Sequence, residues 1–355
     1  MVGRIAPAFG LLTGAAALAA GGIAAGLELE RRVVTKRILR QADEEPEDFF
    51  GLRAAGPKII TPDGVVLHTE VDDVAENGAS DLTLVFVHGY ALSMDCWHFQ
   101  RKHFRGRMRQ VFYDLRSHGR STRSQRQLCR IPQLADDLAQ ILDEAVNSRP
   151  VILVGHSMGG MTIMRLVQTQ PHRFGTQIRG VALFSTSAGE MAEHSPIRGL
   201  PGRTFARVAE PMLAALNRIP ELIEHGRRAG SDLGYVVTRR FAFASDVPPG
   251  YVEFVSKMLA ETPLEVIADF YPAFADLDEY RALEVLGRIP TAVIGGEDDL
   301  FTPVTHTDRI LELLPDTDAQ RMPNCGHLPM IEHPTICNEI LDRLVQRSAT
   351  TIERR

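Results

Sequence analysis

A serine enclosed by glycines is the feature of this sequence that could most directly carry out chemistry. Residues 155–159 read Gly-His-Ser-Met-Gly, and they follow the apolar run Val151–Val154 and precede a helix-like apolar pattern. Glycines allow a tight, strained turn from a strand into a helix, and such a turn lifts the serine hydroxyl clear of the sheet. An ordinary Gly-rich turn is the alternative, which the flanking strand and helix disfavour. We therefore predict that Ser157 is a nucleophile.

A histidine and a group of carboxylates further along the chain could activate this serine. Serine is a weak nucleophile at neutral pH, so it needs a base that a carboxylate orients. His327 is the candidate base, because it lies in a loop between a short predicted strand, Ala319–Met322, and the final predicted helix, to which His333 is assigned. The acidic run Glu297–Asp299 follows the predicted strand Thr291–Ile294 and precedes His327, as the acid of such a set does. Position alone leaves the choice among these carboxylates open.

Two backbone amides are predicted to complete the site by stabilising the negative charge that develops on a carbonyl oxygen under attack. One is the amide of Met158, which follows Ser157 and begins a predicted helix. The other is the amide of Tyr90, shortly after the apolar strand Leu82–Val87. Together they would form an oxyanion hole beside the nucleophile.

The elements that must position these residues alternate between strands and helices. This pattern predicts an α/β fold with a mostly parallel, doubly wound sheet. The run Lys58–Thr61 and the run Val65–Val71, joined by Asp63–Gly64, predict an opening hairpin. The other predicted strands are Leu82–Val87, Val111–Asp114, Val151–Val154, Val181–Phe184, Thr291–Ile294 and Ala319–Met322, and the predicted helices are Ile131–Val146, Met158–Gln168, Thr305–Leu314 and Leu328–Val345.

Residues 189–276 break this alternation, because they are rich in helix-like patterns and prolines and lack convincing strands. We predict that they form a helical cap inserted between two parts of the core, residues 57–188 and 277–347, with a tail at 348–355. Apolar cap residues could line a site for an acyl chain, although apolar residues at helical spacing more often pack a cap onto its core. The candidates are Met191, Phe205, Met212, Phe241, Phe254, Met258 and Phe270.

Residues 1–27 differ in composition from the rest of the chain. The run Ile5–Leu27 has no charged residue and contains nine Ala and five Gly. As a helix of about 35 Å it would cross a bilayer core of about 30 Å. Basic residues between 31 and 40 follow, which predicts a membrane-associated protein whose body is cytoplasmic. A secretory signal cleaved near Ala17–Ala19 is the main alternative, and a soluble helix is a third. Residues 28–56 are predicted to form a charged linker.

Composition excludes several classes of protein. The chain has 355 residues, 44% hydrophobic and 24% charged, which is typical of a globular enzyme rather than of a disordered, collagen-like or polytopic membrane protein. A net charge of −6, 6% aromatic residues and one Trp disfavour nucleic acid as a partner. The four cysteines lack C-x-x-C spacing, so neither a zinc site nor a disulfide scaffold is indicated. We expect buried thiols at Cys96, Cys129, Cys325 and Cys337.

Several motifs taken together resemble the α/β-hydrolase superfamily, over about Pro57–Arg347. The acid of that family usually lies four positions before a proline such as Pro303, which implies that Asp299, rather than Asp298, orients the base. The Asp114–Ser121 motif of the family is mainly structural. The motifs are His88–Gly89, Asp114–Ser121, Gly155–Gly160, Asp299 with Pro303, and Gly326–His327.

Differences from the family pattern narrow the reaction that the resemblance implies. Members that open epoxides or remove halide use an aspartate where this chain has Ser157. Members that cleave carbon–carbon bonds of ring-fission products usually have Asn before the serine and Trp after the histidine, where this chain has His156 and Leu328. What remains resembles esterases, lipases and cofactor-free haloperoxidase-like or perhydrolase-like enzymes.

We therefore expect a serine hydrolase that acts on a carboxylic ester of a small molecule or a lipid. Ser157 attacks the acyl carbon, His327 takes and returns the proton, Asp299 orients His327, and the amides of Tyr90 and Met158 hold the oxyanion. This scheme requires no metal and no organic cofactor. Acyl transfer to an alcohol or to peroxide is an alternative with the same residues. A membrane-tethered ligand-binding protein that has lost activity is a further one.

Overall fold

A seven-stranded sheet forms the centre of the fold. The computed structural model describes residues 47–353, apart from 75–80, 196–201, 205–206, 209–210 and 212–230. The strands within this part are β1 Ile59–Ile60, β2 Val66–Leu67, β3 Thr69–Asp72, β4 Thr83–Val87, β5 Arg109–Tyr113, β6 Val151–His156, β7 Ile178–Phe184, β8 Thr291–Gly296 and β9 Asp318–Met322.

The order and direction of the strands confirm the predicted α/β architecture. The order across the large sheet is β3-β5-β4-β6-β7-β8-β9. Only β3 is antiparallel to its neighbour, and the other pairs are parallel. Parallel strands end at the same edge of a sheet, so the loops after β4, β6, β8 and β9 meet there.

Helices cover both faces of this sheet. Successive residues of β6, such as Leu153 and Val154, belong to two different hydrophobic clusters, which is the pattern of strands buried on both sides. The α-helices whose bounds the structure gives are α1 His98–Phe104, α2 Ile131–Ile141, α3 Met158–Thr169, α4 Ser231–Ala242, α5 Pro249–Glu261, α6 Leu264–Phe270, α7 Tyr280–Leu286, α8 Val304–Leu313, α9 Pro329–Glu332 and α10 Pro334–Glu353. A π-turn, Leu142–Val146, extends α2, and 3-10 turns lie at Met94–Trp97, Arg126–Leu128, Pro171–Arg173, Met191–Glu193 and Tyr271–Phe274.

The predicted opening hairpin is correct only in its first half. β1 pairs with β2, with Ile59 opposite Leu67, but the rest of the predicted second strand separates as β3 and pairs with β5. The reason is a buried ion-pair network, in which Arg101 of α1 donates to Glu70 at 2.6 Å and to Asp72 at 2.7 Å. These carboxylates lie two residues apart and therefore on the same face of β3, so Arg101 holds β3 at the sheet edge.

The single helix predicted over Leu328–Val345 is wrong, because α9 and α10 are separate. His333, which the sequence pattern places in that helix, lies between α9 and α10 with φ −133° and ψ 59°. Pro334 follows, and the residue before a proline is sterically disfavoured in the α-helical conformation. The break sets Glu332 at the end of α9, facing the loop that carries His327.

The described residues between β7 and β8 form helices and turns and contain no strand. Helix α5 of this segment packs against the first described residues of the chain. The Phe49 ring stacks on Phe254 of α5 at 4.4 Å between centroids and meets Phe99 of α1 edge-on at 5.9 Å. Residues 47–56, the end of the segment predicted as a linker, therefore pack on the folded body.

Other predictions concern residues that the structure does not describe. The apolar run 5–27, most of the 28–56 segment, and the cap candidates Phe205 and Met212 lie outside the described residues. Within residues 47–353, as far as they are described, no helix has both the length and the apolar character needed to span a membrane. The four cysteines are free and buried, as expected.

Candidate active site

The turn at Ser157 has the strained geometry that the sequence predicts. Ser157 lies between β6 and α3 with φ 51° and ψ −116°, a backbone conformation that residues other than glycine rarely adopt. Its amide donates to the carbonyl oxygen of Phe184 on β7 at 2.9 Å. A Cβ added to Gly89 would lie 2.5 Å from His156 Nδ1 and 3.2 Å from Ser157 Cβ, and one added to Gly159 would lie 2.1 Å from the carbonyl oxygen of Val87. Glycines are therefore required on both sides of the turn.

His327 and Asp299 form a hydrogen-bonded pair after β9 and β8. His327 Nδ1 lies 2.8 Å from Asp299 Oδ2, and the Asp299 side chain is fully buried. The amides of Phe301 and Thr302 donate to Asp299 Oδ1, and the Thr302 hydroxyl donates to Oδ2. Burial alone would raise the pKa of Asp299, but His327 and these donors hold that pKa below its ordinary value. Asp299 is therefore an ionised, buried carboxylate.

The geometry decides which carboxylate of the acidic run serves His327. Glu297 and Asp298 are exposed, and the amide of Asp298 donates to the carbonyl oxygen of Cys325. Asp299 alone of the three contacts the imidazole. Asp299 is also the carboxylate that the family resemblance implies.

This contact fixes the direction of the hydrogen bond. An ionised carboxylate only accepts hydrogen bonds, so His327 Nδ1 donates to Asp299, and Nε2 is the ring nitrogen left for other contacts. Among the described residues, the Ser157 hydroxyl makes no hydrogen bond with His327. In the absence of substrate such serine–histidine contacts are commonly loose and tighten when substrate binds.

His156, which the sequence singled out only as a difference from other family members, contacts the histidine loop. Its Nε2 lies 2.8 Å from the carbonyl oxygen of His327, and the two rings are 4.8 Å apart. Burial, with a smaller effect from the charge of His327, lowers the pKa of His156 to about 3. His156 is therefore neutral and donates from Nε2. Its position next to Ser157 was the only signal for this role in the sequence.

The predicted oxyanion positions flank Ser157. Gly89, next to Tyr90, lies against Ser157, and Met158 is the first residue of α3. The first amides of a helix have no acceptor within it, and neither the Met158 nor the Tyr90 amide donates to another described residue. The phenol of Tyr90 is occupied elsewhere, since it donates to the carbonyl oxygen of Ile267.

The Asp114–Ser121 motif supports this part of the site from beneath. The amide of Leu115 donates to His88 Nε2 at 2.9 Å, and His88 Nδ1 donates to the carbonyl oxygen of Gly89 at 2.8 Å. Burial holds the pKa of His88 well below its ordinary value, so this ring is neutral and bonded at both nitrogens. The motif thus fixes the loop that carries Tyr90.

The described cap candidates have different surroundings. Phe254 and Met258 are buried in one hydrophobic cluster, and the ring of the buried Phe270 lies 5.1 Å from His118. Met191 is half-buried against the other cluster. Their observed contacts are with core side chains rather than with Ser157 or His327.

Phe241 contacts Phe301, an aromatic side chain beside His327 that the sequence did not single out. The Phe301 ring lies 6.2 Å from Phe241 and 5.1 Å from the His327 ring, and 41% of Phe301 is exposed. The position of Phe301 two residues after Asp299 is the feature of the sequence that could have indicated its place in the site. An apolar ring therefore lies beside the imidazole at the protein surface.

Comparison with known proteins identifies the family. Residues 84–340 match the model of the alpha/beta hydrolase family, which is well over half of the chain. The chain belongs to the α/β hydrolase family. This α/β hydrolase is 25% identical over 280 residues to the non-heme chloroperoxidase of Burkholderia pyrrocinia, covering 74% of this chain and 91% of that protein.

Two further similarities extend over most of this α/β hydrolase. It is 23% identical to the dihydrolipoyllysine-residue acetyltransferase component of an acetoin cleaving system from Pseudomonas putida, covering 72% of this chain and 61% of that protein's length. A solved esterase from Thermogutta terrifontis superposes with a TM-score of 0.62 at 21% identity, covering 83% of this chain and 99% of the esterase. At that identity the superposition establishes the fold. Family and relatives together support a hydrolase.

The buried His156 predicts how stability depends on pH. Its pKa is about 3 in the folded protein, against 6.5 for an ordinary histidine. Between these values the unfolded chain binds one more proton, so stability falls as pH drops from about 6.5 towards 3. The variant His156→Gln keeps a donor for His327 but does not titrate. Its free energy of unfolding, measured in urea between pH 4 and 6, should change less with pH, by about 1.4 kcal/mol per unit.

The matched control is His172→Gln, because His172 is exposed in a 3-10 turn. It should show the same dependence of unfolding free energy on pH as the unmodified protein. Equal slopes for His156→Gln and the unmodified protein would show that His156 is not held neutral.

Proposed function

We propose that this α/β hydrolase cleaves carboxylic esters through an acyl-enzyme on Ser157. The observation that carries the proposal is the 2.8 Å hydrogen bond from His327 Nδ1 to the buried Asp299, at the strand edge where Ser157 lies on its strained turn. A nucleophile, a base and a buried orienting carboxylate are the parts that acyl transfer requires.

Acylation begins when His327 Nε2 removes the hydroxyl proton of Ser157 as its oxygen attacks the ester carbonyl carbon. The imidazolium that forms is stabilised by Asp299, whose burial makes this charge interaction stronger than it would be in water. The amides of Tyr90 and Met158 donate to the developing oxyanion. His327 then gives its proton to the leaving alcohol, and the carbon–oxygen bond breaks.

Deacylation repeats these steps with water as the nucleophile. His327 removes a proton from water as the water oxygen attacks the acyl carbon, and it returns the proton to Ser157 as the acid product leaves. Proton transfer and charge stabilisation are thus performed by side chains and amides of this chain.

The substrate we propose has an apolar group next to its ester bond. Phe301 and Phe241 offer an apolar surface beside His327. Helix α6 and Thr262, the residue that directly follows α5, contact the oxyanion loop, because Ile267 accepts from the Tyr90 hydroxyl and Thr262 donates to the carbonyl oxygen of Ala91. We infer that helices α4 to α6 form a cap that encloses this apolar group.

Replacing the nucleophile tests the mechanism. Ser157→Ala should abolish labelling by a fluorophosphonate probe and lower the rate of p-nitrophenyl butyrate hydrolysis by about 10⁴-fold or more, because no covalent intermediate can form. Circular dichroism should show an unchanged fold. Ser148→Ala, at an exposed serine, is the control and should keep full activity. Turnover retained by Ser157→Ala would contradict the mechanism.

The acidic run offers a matched pair of variants. Asp299→Asn should lower kcat/KM by about 10³- to 10⁴-fold, since an amide at this position no longer fixes the His327 tautomer or stabilises its charge. Asp298→Asn changes the neighbouring, exposed carboxylate and should alter kcat/KM by less than about twofold. A similar loss in both variants, or none in Asp299→Asn, would show that Asp299 does not serve His327.

Acyl transfer to peroxide is the second candidate, and the 25% identity to a protein named as a non-heme chloroperoxidase favours it. The acyl-enzyme would then react with hydrogen peroxide and release a peroxy acid. Product analysis with an acyl ester in water containing peroxide separates the two reactions, because hydrolysis releases the acyl group as the carboxylic acid and not as the peroxy acid. Peroxy acid as the main product at low peroxide concentration would favour transfer over hydrolysis.

A further inference from the structure

One buried carboxylate joins the histidine loop to the helices between β7 and β8. Glu332, at the end of α9, is 7% exposed. Its Oε2 accepts from the amide of Gly326 at 2.7 Å. Its Oε1 accepts from the amides of Ala244, at 2.9 Å, and Ser245, both in the turn that follows α4. Glu332 therefore bridges the residue before His327 and the turn between α4 and α5.

The same two segments also touch directly. The amide of His327 donates to the carbonyl oxygen of Ala242, the last residue of α4, at 3.0 Å. Gly326 has no room for a side chain, since an added Cβ would lie 2.6 Å from that carbonyl oxygen. On the other side, His156 donates to the carbonyl oxygen of His327. The backbone of His327 is thus held from α4 and from β6.

We propose that Glu332 is a positioning residue, which transmits the position of α4 and of the turn after it to the proposed catalytic base His327. This inference rests on the proposed function. Glu332 makes no hydrogen bond to the His327 ring, to Asp299 or to Ser157 among the described residues, so it acts through the backbone.

The chemistry of the contact explains why a carboxylate is present. Hydrogen bonds from backbone amides to an ionised carboxylate are shorter and stronger than those between neutral groups. One oxygen of Glu332 accepts a hydrogen bond from the histidine loop, and the other accepts hydrogen bonds from the turn after α4. A glutamine would present an NH₂ group to one of the segments, where only donors are found, and would break that half of the bridge.

Substrate held under α4 to α6 therefore acts on catalysis as well as on binding. A displacement of the turn after α4 moves Gly326 through Glu332 and moves His327 through Ala242. A misplacement of a catalytic group by about 1 Å can cost about 100-fold in rate. The helices that enclose the substrate thereby also set the distance from His327 to Ser157.

The test is a double-mutant cycle across the bridge in the full-length protein. Glu332→Gln breaks it on one side. Ala244→Pro removes one donor on the other side, at a position just past a helix end where proline is common. Each variant should lower kcat for p-nitrophenyl butyrate by about 10- to 100-fold, with KM within about twofold, and should slow fluorophosphonate labelling equally. The double variant should lose little more than either single variant, because both variants interrupt the same bridge through Glu332.

Glu339→Gln, at an exposed glutamate on α10, is the matched control and should behave as the unmodified protein. Thermal melts identify the folded fraction, to which all rates are normalised. If Glu332→Gln does not fold, Ala244→Pro reports on the bridge with Glu332 intact. A folded Glu332→Gln with unchanged kcat, a change in KM alone, or multiplicative losses in the double variant would overturn the positioning role.

Ser157→Ala, assayed in parallel, separates this inference from the proposed function. If Ser157→Ala keeps its turnover, the proposed function fails whatever Glu332 does. If Ser157→Ala is inactive and Glu332→Gln is fully active, only the positioning role fails.

Discussion

The backbone conformation of Ser157 is the constraint on which the rest of the site depends. A serine at φ 51° is unfavourable by itself, and it persists only because its surroundings hold it. The hydrogen bond from the Ser157 amide to the carbonyl oxygen of Phe184 fixes the turn to β7, and Gly89 and Gly159 leave space for it. Because the turn lies where β6 passes directly into α3, the serine hydroxyl leaves the sheet at its carboxyl edge.

The parallel register brings the remaining parts to this same edge. Val87 pairs with Gly155, Phe184 with Ile294, and Gly296 with Met322, so β4, β6, β7, β8 and β9 end nearly level. The loops after β4, β6, β8 and β9 carry the oxyanion candidates and the proposed nucleophile, acid and base. Residues that lie far apart in the chain therefore meet without any long side chain reaching across the sheet.

The sequence predicted those features that depend on local pattern. The strand, turn and helix around Ser157, the mostly parallel sheet and the loop position of His327 all follow from apolar runs and glycines. It did not predict the contacts that join distant segments. His156 and His327 are 171 positions apart in the chain, and Glu332 and Ala244, which are hydrogen-bonded, are 88 positions apart. Nothing in the spacing of these residues indicates that they touch. The helix break before Pro334 could have been predicted from the proline. The separation of β3 from the predicted hairpin could not, because it depends on the tertiary contact of Arg101 with Glu70 and Asp72.

The electrostatics of the two neighbouring histidines shows why such distant contacts matter. During the proposed reaction His327 must become positively charged, and His156 lies 4.8 Å away between ring centroids. A second positive charge there would oppose proton transfer from Ser157. Burial removes this conflict, because it lowers the pKa of His156 to about 3 and keeps the ring neutral. The nearby ionised carboxylate, Asp299, is bonded to His327. His327 is therefore the favourable acceptor for the Ser157 proton. The neighbouring His156 ring, which could compete for that proton, instead holds the loop of His327 through a hydrogen bond.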